Sequence, residues 1–499
     1  MTAFEHRGIV EGFYGPPWSH EDRLWWIERL GAWGMNRYVY APKDEPLHRA
    51  RWREPYPEDD LRRFAELVDA GARHGVEVGF ALSPGLSIRY AEREDRRALC
   101  AKFRTFRELG SGFLSLALDD VPFEPVHAED RRAFPSLAAA QTELTHEVRA
   151  AIGDDCTLWL VPTDYLGVRT SEYLEELGAT LAPEVEVGWT GRTVLSPTIE
   201  AGEARARAEV LRRPLLLWDN TPVADGPMRR MLHLGPYRGR SPAIAEHASG
   251  ILLNPMQHAR ASAVTIRTAA RFLEDPAGYE PERAFAEATR ELGAGAADAF
   301  ALFAEGHRFS PIEPDQRDLA LEEGLAAART AVHSGGDPKP ALEDLRAAVG
   351  ARVGVAAALR SGLSDRRLES EISAWIDAHA RESRCMAAAL DCVDTLVESA
   401  SAKDRVFAFF GLESKLSREP IPAEASYGPR RVLYPQLDDL RDDTMALAPA
   451  EPTLIRDRCL SDEFVAFAEE LALEKLATPE RTAAKAAGAP RRQRPGPPR

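Results

Sequence analysis

Two adjacent carboxylates, Asp119 and Asp120, close the apolar run Phe113-Leu-Ser-Leu-Ala-Leu118. Four to eight apolar residues bounded by breakers read as a buried strand. Ionised side chains where such a strand leaves the core are costly unless something uses them, so the pair points to acid/base chemistry. Other reactive or hydrogen-bonding groups follow apolar runs in the same way, in Glu11-Gly-Phe-Tyr-Gly-Pro-Pro-Trp18, Ala41-Pro-Lys-Asp44, Ser83-Pro-Gly85, Pro162-Thr-Asp-Tyr165, Trp189-Thr-Gly191, Trp218-Asp-Asn220 and Asn254-Pro255. Composition sharpens the choice. The chain has only three Asn (Asn36, Asn220, Asn254) and only two Lys before residue 300 (Lys43, Lys102), so each survivor of an avoided type is a stronger candidate for a chemical role. Asn36 precedes a strand rather than following one and reads as a structural turn residue.

The ligand class follows from what these groups can bind. No G-x-x-x-x-G-K-[ST] loop is present to cradle a phosphate, and the Asp cluster lacks His or Glu at metal-ligand spacing. Aromatic rings, amides, a Lys and several Asp suit a sugar, because rings stack on its C–H faces while Asn and Asp bond its hydroxyls directionally. Glycosidic cleavage commonly needs two carboxyl groups. Here the pair is adjacent, with Cα atoms about 3.8 Å apart, and strand neighbours point to opposite sides. That is awkward for an acid and a nucleophile on opposite faces of a ring. It suits a substrate-assisted route, in which the substrate's own 2-acetamido oxygen attacks the anomeric carbon, one Asp orients the acetamido N–H and the other serves as acid and then base.

The elements that must position these groups alternate from residue 8 to about 275. Candidate strands are Gly8–Phe13, Arg37–Ala41, Glu77–Leu82, Phe113–Leu118, Thr157–Val161, Glu184–Gly188, Leu215–Trp218 and Gly250–Leu253, with helical patterns such as His20–Trp33, Asp59–His74, Arg93–Leu109, Leu137–Ile152 and Glu200–Arg212 between them. Ser19 and Ser136 sit where N-caps belong. Eight strand–helix repeats predict an α/β fold of the (β/α)8 TIM-barrel type over residues 7–275, whose strand ends converge on one rim. A doubly wound sheet would want a Gly-rich phosphate loop after its first strand, and none is present.

After residue 281 only helical periodicity remains, in Glu282–Leu292, Asp315–Val332 and Asp365–Ala400, the last with an apolar stripe of Leu368, Ile372, Trp375, Ile376, His379, Leu390, Val393 and Val397. This predicts a helical domain over 281–477 packed on the barrel or against a partner. It includes an irregular Pro-containing connection over 417–459 and a last helix at Asp462–Leu476, and it is followed by a basic disordered tail at 478–499. The net charge of −16 argues against a nucleic-acid partner. No apolar run approaches the roughly 20 residues of a membrane span. The N-terminal residues lack a signal-peptide pattern, and five scattered cysteines (Cys100, Cys156, Cys385, Cys392, Cys459) read as reduced thiols, which predicts a cytoplasmic protein.

The segments Val10-Glu-Gly-Phe-Tyr-Gly15, Tyr40-Ala-Pro-Lys-Asp44, Ser83-Pro-Gly85, Leu118-Asp-Asp120, Trp218-Asp-Asn220, Leu234-Gly-Pro-Tyr-Arg-Gly-Arg240 and Asn254-Pro255 resemble, in this order, glycoside hydrolase family 84, the O-GlcNAcases and related bacterial β-N-acetylglucosaminidases, some described as hyaluronidases. The resemblance covers residues 7–275. It implies a retaining exo-β-N-acetylglucosaminidase that needs no cofactor or metal and works through an oxazoline intermediate on a GlcNAc-bearing glycoconjugate or glycoprotein. Carried over by position, it makes Asp119 the residue that orients the acetamido group and Asp120 the general acid/base. Gly12 (through its backbone), Lys43, Asn220, Asp225 and Asn254 would bind sugar hydroxyls, and Tyr165 and Trp218 would line the acetamido pocket. The alternatives are a hyaluronidase-type endo-hydrolase and a GlcNAc-binding barrel without catalysis. The helical region could serve a homodimer.

Overall fold

The computed structural model describes residues 4–310, 318–416, 418, 435–436, 448–449 and 460–475. Eight strands, β1 (His6–Glu11), β2 (Arg37–Tyr40), β3 (Glu77–Leu82), β4 (Phe113–Ala117), β5 (Thr157–Val161), β6 (Glu186–Trp189), β7 (Leu215–Asp219) and β8 (Ala248–Leu253), pair in parallel and in chain order. The barrel closes where Gly8 registers with Leu252 and Ile9 with Leu253. This is the (β/α)8 architecture that the alternating pattern predicts.

Apolar residues fill both faces of these strands, and alternation sorts them. Val10, Val39, Ala81, Phe113, Ala117, Trp159, Val161, Leu216, Trp218 and Leu252 form one cluster within the barrel. Their neighbours Ile9, Tyr38, Phe80, Leu114, Leu116, Leu158, Leu160, Leu215 and Leu217 face the surrounding helices. Ala41, Ala81 and Ala117 are the small members of the inner cluster and all lie near strand C-terminal ends, while Phe113 and Trp159 fill the interior lower down.

The barrel helices are α1 (His20–Ala32), α2 (Glu58–His74), α3 (Arg93–Glu108), α4 (Ala128–Ala133), α5 (Leu137–Ile152), α6 (Glu172–Thr180), α7 (Ala201–Leu211) and α8 (Ala263–Glu274). Ser19 accepts from Asp22 N–H and Ser136 from Ala139 N–H, so both predicted N-caps are made. Strand β6 starts at Glu186, two residues later than the apolar pattern suggests, because Val185 N–H is spent on a turn to Ala182 O.

Beyond the barrel come α9 (Pro281–Leu292), α10 (Ala297–Glu305), α11 (Leu319–His333), α12 (Lys339–Val353), α13 (Val355–Gly362), α14 (Arg366–Glu371), α15 (Ser373–Glu398), α16 (Ala402–Leu416) and α17 (Leu460–Lys475). The stripe expected over Asp365–Ala400 is used within the chain, but by two helices that divide at Ile372. Leu368, Ile372, Trp375 and Ile376 join the core shared with the barrel helices, together with Phe285, Phe300, Phe303 and Leu359. Leu390 and Val393 belong to a second core with Leu325, Leu345, Phe464, Phe467 and Leu471. Cys100, Cys156 and Cys392 are free thiols and, like Cys385, are buried. Cys459, the predicted connection at 417–459 and the tail at 478–499 lie essentially outside the described residues. Among the described residues no helix is long and apolar enough to cross a membrane.

Candidate active site

Alternation along β4 turns Ser115, Ala117 and then Asp119 the same way, while Leu116 and Leu118 pack outward. Leu118 N–H still donates to Val161 O at 2.8 Å, which holds the strand's line up to Asp119. The next residue breaks that line. Asp120 has φ +55°, in the left-handed region that Asp tolerates better than most side chains. Strict alternation would send its carboxylate away from Asp119. The turn instead gives the two carboxylates common neighbours, since Tyr165 and Arg49 feel both charges.

Their environments are unequal. Asp119 is 7% exposed and its Oδ2 is ion-paired with Lys43 Nζ, itself buried at the end of β2. Its Oδ1 is buried and has no donor among the described residues. Asp120 is exposed at the mouth, with Tyr14 Oη donating to Oδ2 at 3.0 Å and Tyr165 Oη to Oδ1 at 3.0 Å. The surrounding protein pushes the Asp120 carboxyl up by desolvation. Lys43, the two phenols and Arg49 more than reverse this and hold it below the usual carboxylate range. Burial and the nearby carboxylates raise the Tyr165 hydroxyl well above an ordinary phenol, so it stays a donor.

The opposite wall comes from β7 and β8. Trp218 is buried against Trp159, with ring centroids 5.5 Å apart, and Lys43 Nζ lies 5.4 Å from the Trp218 ring centroid. Asn220 Oδ1 accepts from Trp218 Nε1 and from Asn254 Nδ2, both at 2.9 Å, and Asn220 Nδ2 donates to Val194 O at 2.8 Å. Asn254 Oδ1 accepts from Gly12 N–H at 3.1 Å. An amide nitrogen has two hydrogens, so this network leaves one on each Asn for a ligand. Between Trp218 and Asn220, Asp219 is buried and gripped by Arg240 (Nε–Oδ2 2.7 Å, Nη2–Oδ1 2.6 Å) and by Tyr237 Oη at 2.7 Å. The two outer residues of the Trp-Asp-Asn triplet are therefore set by the inner one.

The structure brings every predicted site residue to the C-terminal rim, with two revisions of reason. A Cβ on Gly12 would lie 2.2 Å from the Trp218 ring, so the glycine makes room for a protein ring, and its N–H is already spent on Asn254. Asp225 accepts Tyr14 N–H at 2.8 Å, which ties it to the loop after β1. Burial raises its carboxyl, the Tyr14 N–H lowers it, and Asp44 and Asp120 add to the rise. Trp189, also on the rim in sequence, is 1% exposed and donates to Gly167 O, a packing role. Two neighbours of Asp120 escape the sequence reading. Tyr14 gave a usable signal as the aromatic after the first strand. Arg49 gave none, because this chain uses Arg everywhere.

A closed parallel barrel with two inequivalent carboxylates, a buried Lys and Trp218 at its C-terminal mouth is an arrangement suited to glycoside hydrolysis. The β-N-acetylglucosaminidase family model matches residues 7–305, more than half of the chain, and the chain belongs to that family. It is 35% identical over 269 residues to the protein O-GlcNAcases of Rattus norvegicus and Mus musculus, a match covering 53% of this chain and 29% of each relative. The chain thus spans about a third of those relatives' length. Among solved structures it is similar to a mutant of the Thermobaculum terrenum O-GlcNAc hydrolase, with 29% identity, TM-score 0.79 and 97% of each chain covered. It is also similar to CpGH84B, with 26% identity, TM-score 0.76 and coverage of 85% of this chain and 75% of the other.

Proposed function

We propose that the chain is a retaining exo-β-N-acetylglucosaminidase that removes terminal β-linked GlcNAc from Ser/Thr or smaller aglycones with the help of the substrate's own acetamido group. The observation that carries this reading is the inequality of the aspartates. Asp119 keeps one buried oxygen without a donor among the described residues while Lys43 neutralises the other. It can therefore accept an acetamido N–H without first giving up a protein partner. Asp120 is exposed where a leaving oxygen would depart and serves as acid, then base. Substrate would displace water from the mouth and weaken the contacts that keep Asp120 ionised, which lets it carry the first proton.

Trp218 and Tyr165 wall the acetamido pocket in this reading. Lys43, the spare amide hydrogens of Asn220 and Asn254, Asp225 and the Gly12 backbone carbonyl hold sugar hydroxyls. The buried free thiols favour a cytoplasmic setting. A homodimer through the helical region would use α16, where Phe407 and Phe410 are 63% and 65% exposed. The test is hydrolysis of aryl β-GlcNAc and β-GalNAc glycosides. GlcNAc should be released with retained configuration and blocked competitively by a GlcNAc-thiazoline. Binding of the thiazoline with no sugar released at any pH would replace the enzyme by a lectin-like barrel.

A further inference from the structure

Asp120 is held by two phenols in different surroundings. Tyr165 is partly buried and packs against the barrel-interior cluster, whereas Tyr14 is 40% exposed on the loop after β1. Tyr14 is nonetheless fixed from three directions. Arg49 Nη1 donates to its hydroxyl oxygen at 2.7 Å, the Arg49 guanidinium lies 5.6 Å from its ring centroid, and its backbone N–H donates to Asp225. Arg49 in turn sits in a segment tied down by Lys102, whose ammonium donates to the carbonyls of Leu47 at 2.6 Å, Trp52 at 3.1 Å and Glu54 at 2.7 Å. A phenol that accepts from a guanidinium is polarised into a better donor, so the contacts run as a chain from Arg49 through Tyr14 to Asp120. Lys43 from the β2 end, Tyr165 from the β5 loop, Asp225 from the β7 loop and neighbouring Asp119 are the other charged or titratable groups facing Asp120. Of the two phenols that touch it, only Tyr14 can leave without unpacking the interior.

We infer that Tyr14, polarised by Arg49, is a positioning residue that switches Asp120 between its two duties. In contact, Tyr14 holds Asp120 as the carboxylate that takes a proton from water. Displaced by an arriving aglycone, it frees Oδ2 to carry the proton given to the leaving oxygen. This rests on the hydrolytic reading above. In the first half-reaction the acetamido oxygen bonds to C1, the C1–aglycone bond breaks and the Asp120 proton passes to the departing oxygen. In the second, water oxygen bonds to C1, the acetamido oxygen is released and Asp120 regains its proton from that water. Tyr14 transfers no proton in either.

The test is the pH dependence of the full chain on two aryl GlcNAc glycosides, a 2,4-dinitrophenyl one that leaves without acid help and a 4-methoxyphenyl one that needs it. Tyr14→Phe should move the alkaline limb of kcat/KM on the methoxyphenyl substrate up by about one pH unit, because Asp120 loses a donor to its charged form. On the dinitrophenyl substrate, limited by the second half-reaction, kcat should fall about tenfold, the order of one hydrogen bond to a charged group. Arg49→Gln should show both effects at smaller size and add less than about twofold in the Tyr14→Phe background, with Arg49→Lys restoring most of the loss. Unmoved limbs with equal losses on both substrates, or full additivity of the two variants, would leave Tyr14 and Arg49 as mere structure and overturn the switch. A wild-type chain that releases no GlcNAc from either glycoside would instead remove the hydrolytic reading, and the switch with it.

Discussion

The two ends of the barrel use the same residue types for different ends. Where the strands begin, polar groups are spent on the chain itself. Asn36 donates to Glu5 O at 2.8 Å and accepts Arg7 N–H at 2.9 Å, Arg37 Nε donates to His6 Nδ1 at 3.1 Å, and Glu186 accepts from Ser249 Oγ at 2.6 Å. Where the strands finish, capacity is left over. Among the described residues Asp119 keeps a buried oxygen without a donor, Asn220 and Asn254 keep an amide hydrogen each, and Asp120 faces solvent. The two early lysines differ in use although both hold the segment that follows β2. Lys102 is consumed by three backbone carbonyls, whereas Lys43 is set against Asp119 with its ammonium 5.4 Å from the Trp218 ring centroid. Among these residues, those where the strands begin are satisfied and those at the rim keep capacity that a ligand could use.

The sharpest way to break this comparison is Asp119→Asn. If its surplus oxygen receives the acetamido N–H, kcat/KM on 4-nitrophenyl GlcNAc should fall about 10²–10³-fold in protein that is still folded, the scale of losing one preorganised electrostatic group, and the loss of Lys43's charged partner should lower stability as well. Loss of fold in place of activity would mean the surplus is structural. Lys43→Met should damage both, since removing one partner of a buried ion pair typically costs about 3–5 kcal/mol. A urea unfolding curve with an unchanged midpoint would contradict the pair's burial. Asn254→Ala and Asn36→Ala form the matched pair for the two ends. The first should lower kcat/KM roughly tenfold, and the second should cost about 1 kcal/mol of stability with kinetics intact. Equal kinetic losses would erase the distinction.

Much of this was legible in the amino-acid sequence because barrel strands, buried on both faces, are near-continuous apolar runs. Strands β3 and β5 and helix α5 match their predicted bounds. The rim was legible because polar residues after such runs stand out in a chain poor in Asn and Lys. Backbone conformation was not. Alternation places Asp120 facing away, and only its positive φ turns it into the mouth, so Tyr14 and Arg49 could not be matched to it by spacing. Gly12 was recognisable as a required glycine, but its reason, the Trp218 ring, lies 206 residues away in sequence. Short helices such as α4, of six residues, carry too little periodicity to be placed.

The smallest effect concerns pH and stability. Burial lowers His48 to about 3 and His233 and His379 to about 4. Below about 6.5 the unfolded chain therefore binds protons that the folded one refuses. Stability should fall as pH drops from about 6.5 towards 4, each histidine contributing up to about 1.4 kcal/mol per pH unit. Glu371, raised by burial to about 7 while it accepts the N–H groups of Arg260 and Ala261, works in the opposite sense. Its charge is disfavoured in the fold, so its contribution is fully present below about 4.5 and is lost as pH rises through about 7. Melting temperatures across this range should decline on acidification, and a flat profile would show that the histidines are protonated in the fold.

The central claim is that Asp119 and Asp120 have different tasks. Leaving-group dependence tests it most directly. Aryl GlcNAc glycosides of graded phenol acidity should be compared on Asp120→Asn and Asp119→Asn. Asp120→Asn should lose about 10²–10⁴-fold on the poorest leaving group and little of the first half-reaction on the best, because only the former needs a proton. Asp119→Asn should lose across the whole series. Parallel slopes for the two variants would contradict the account.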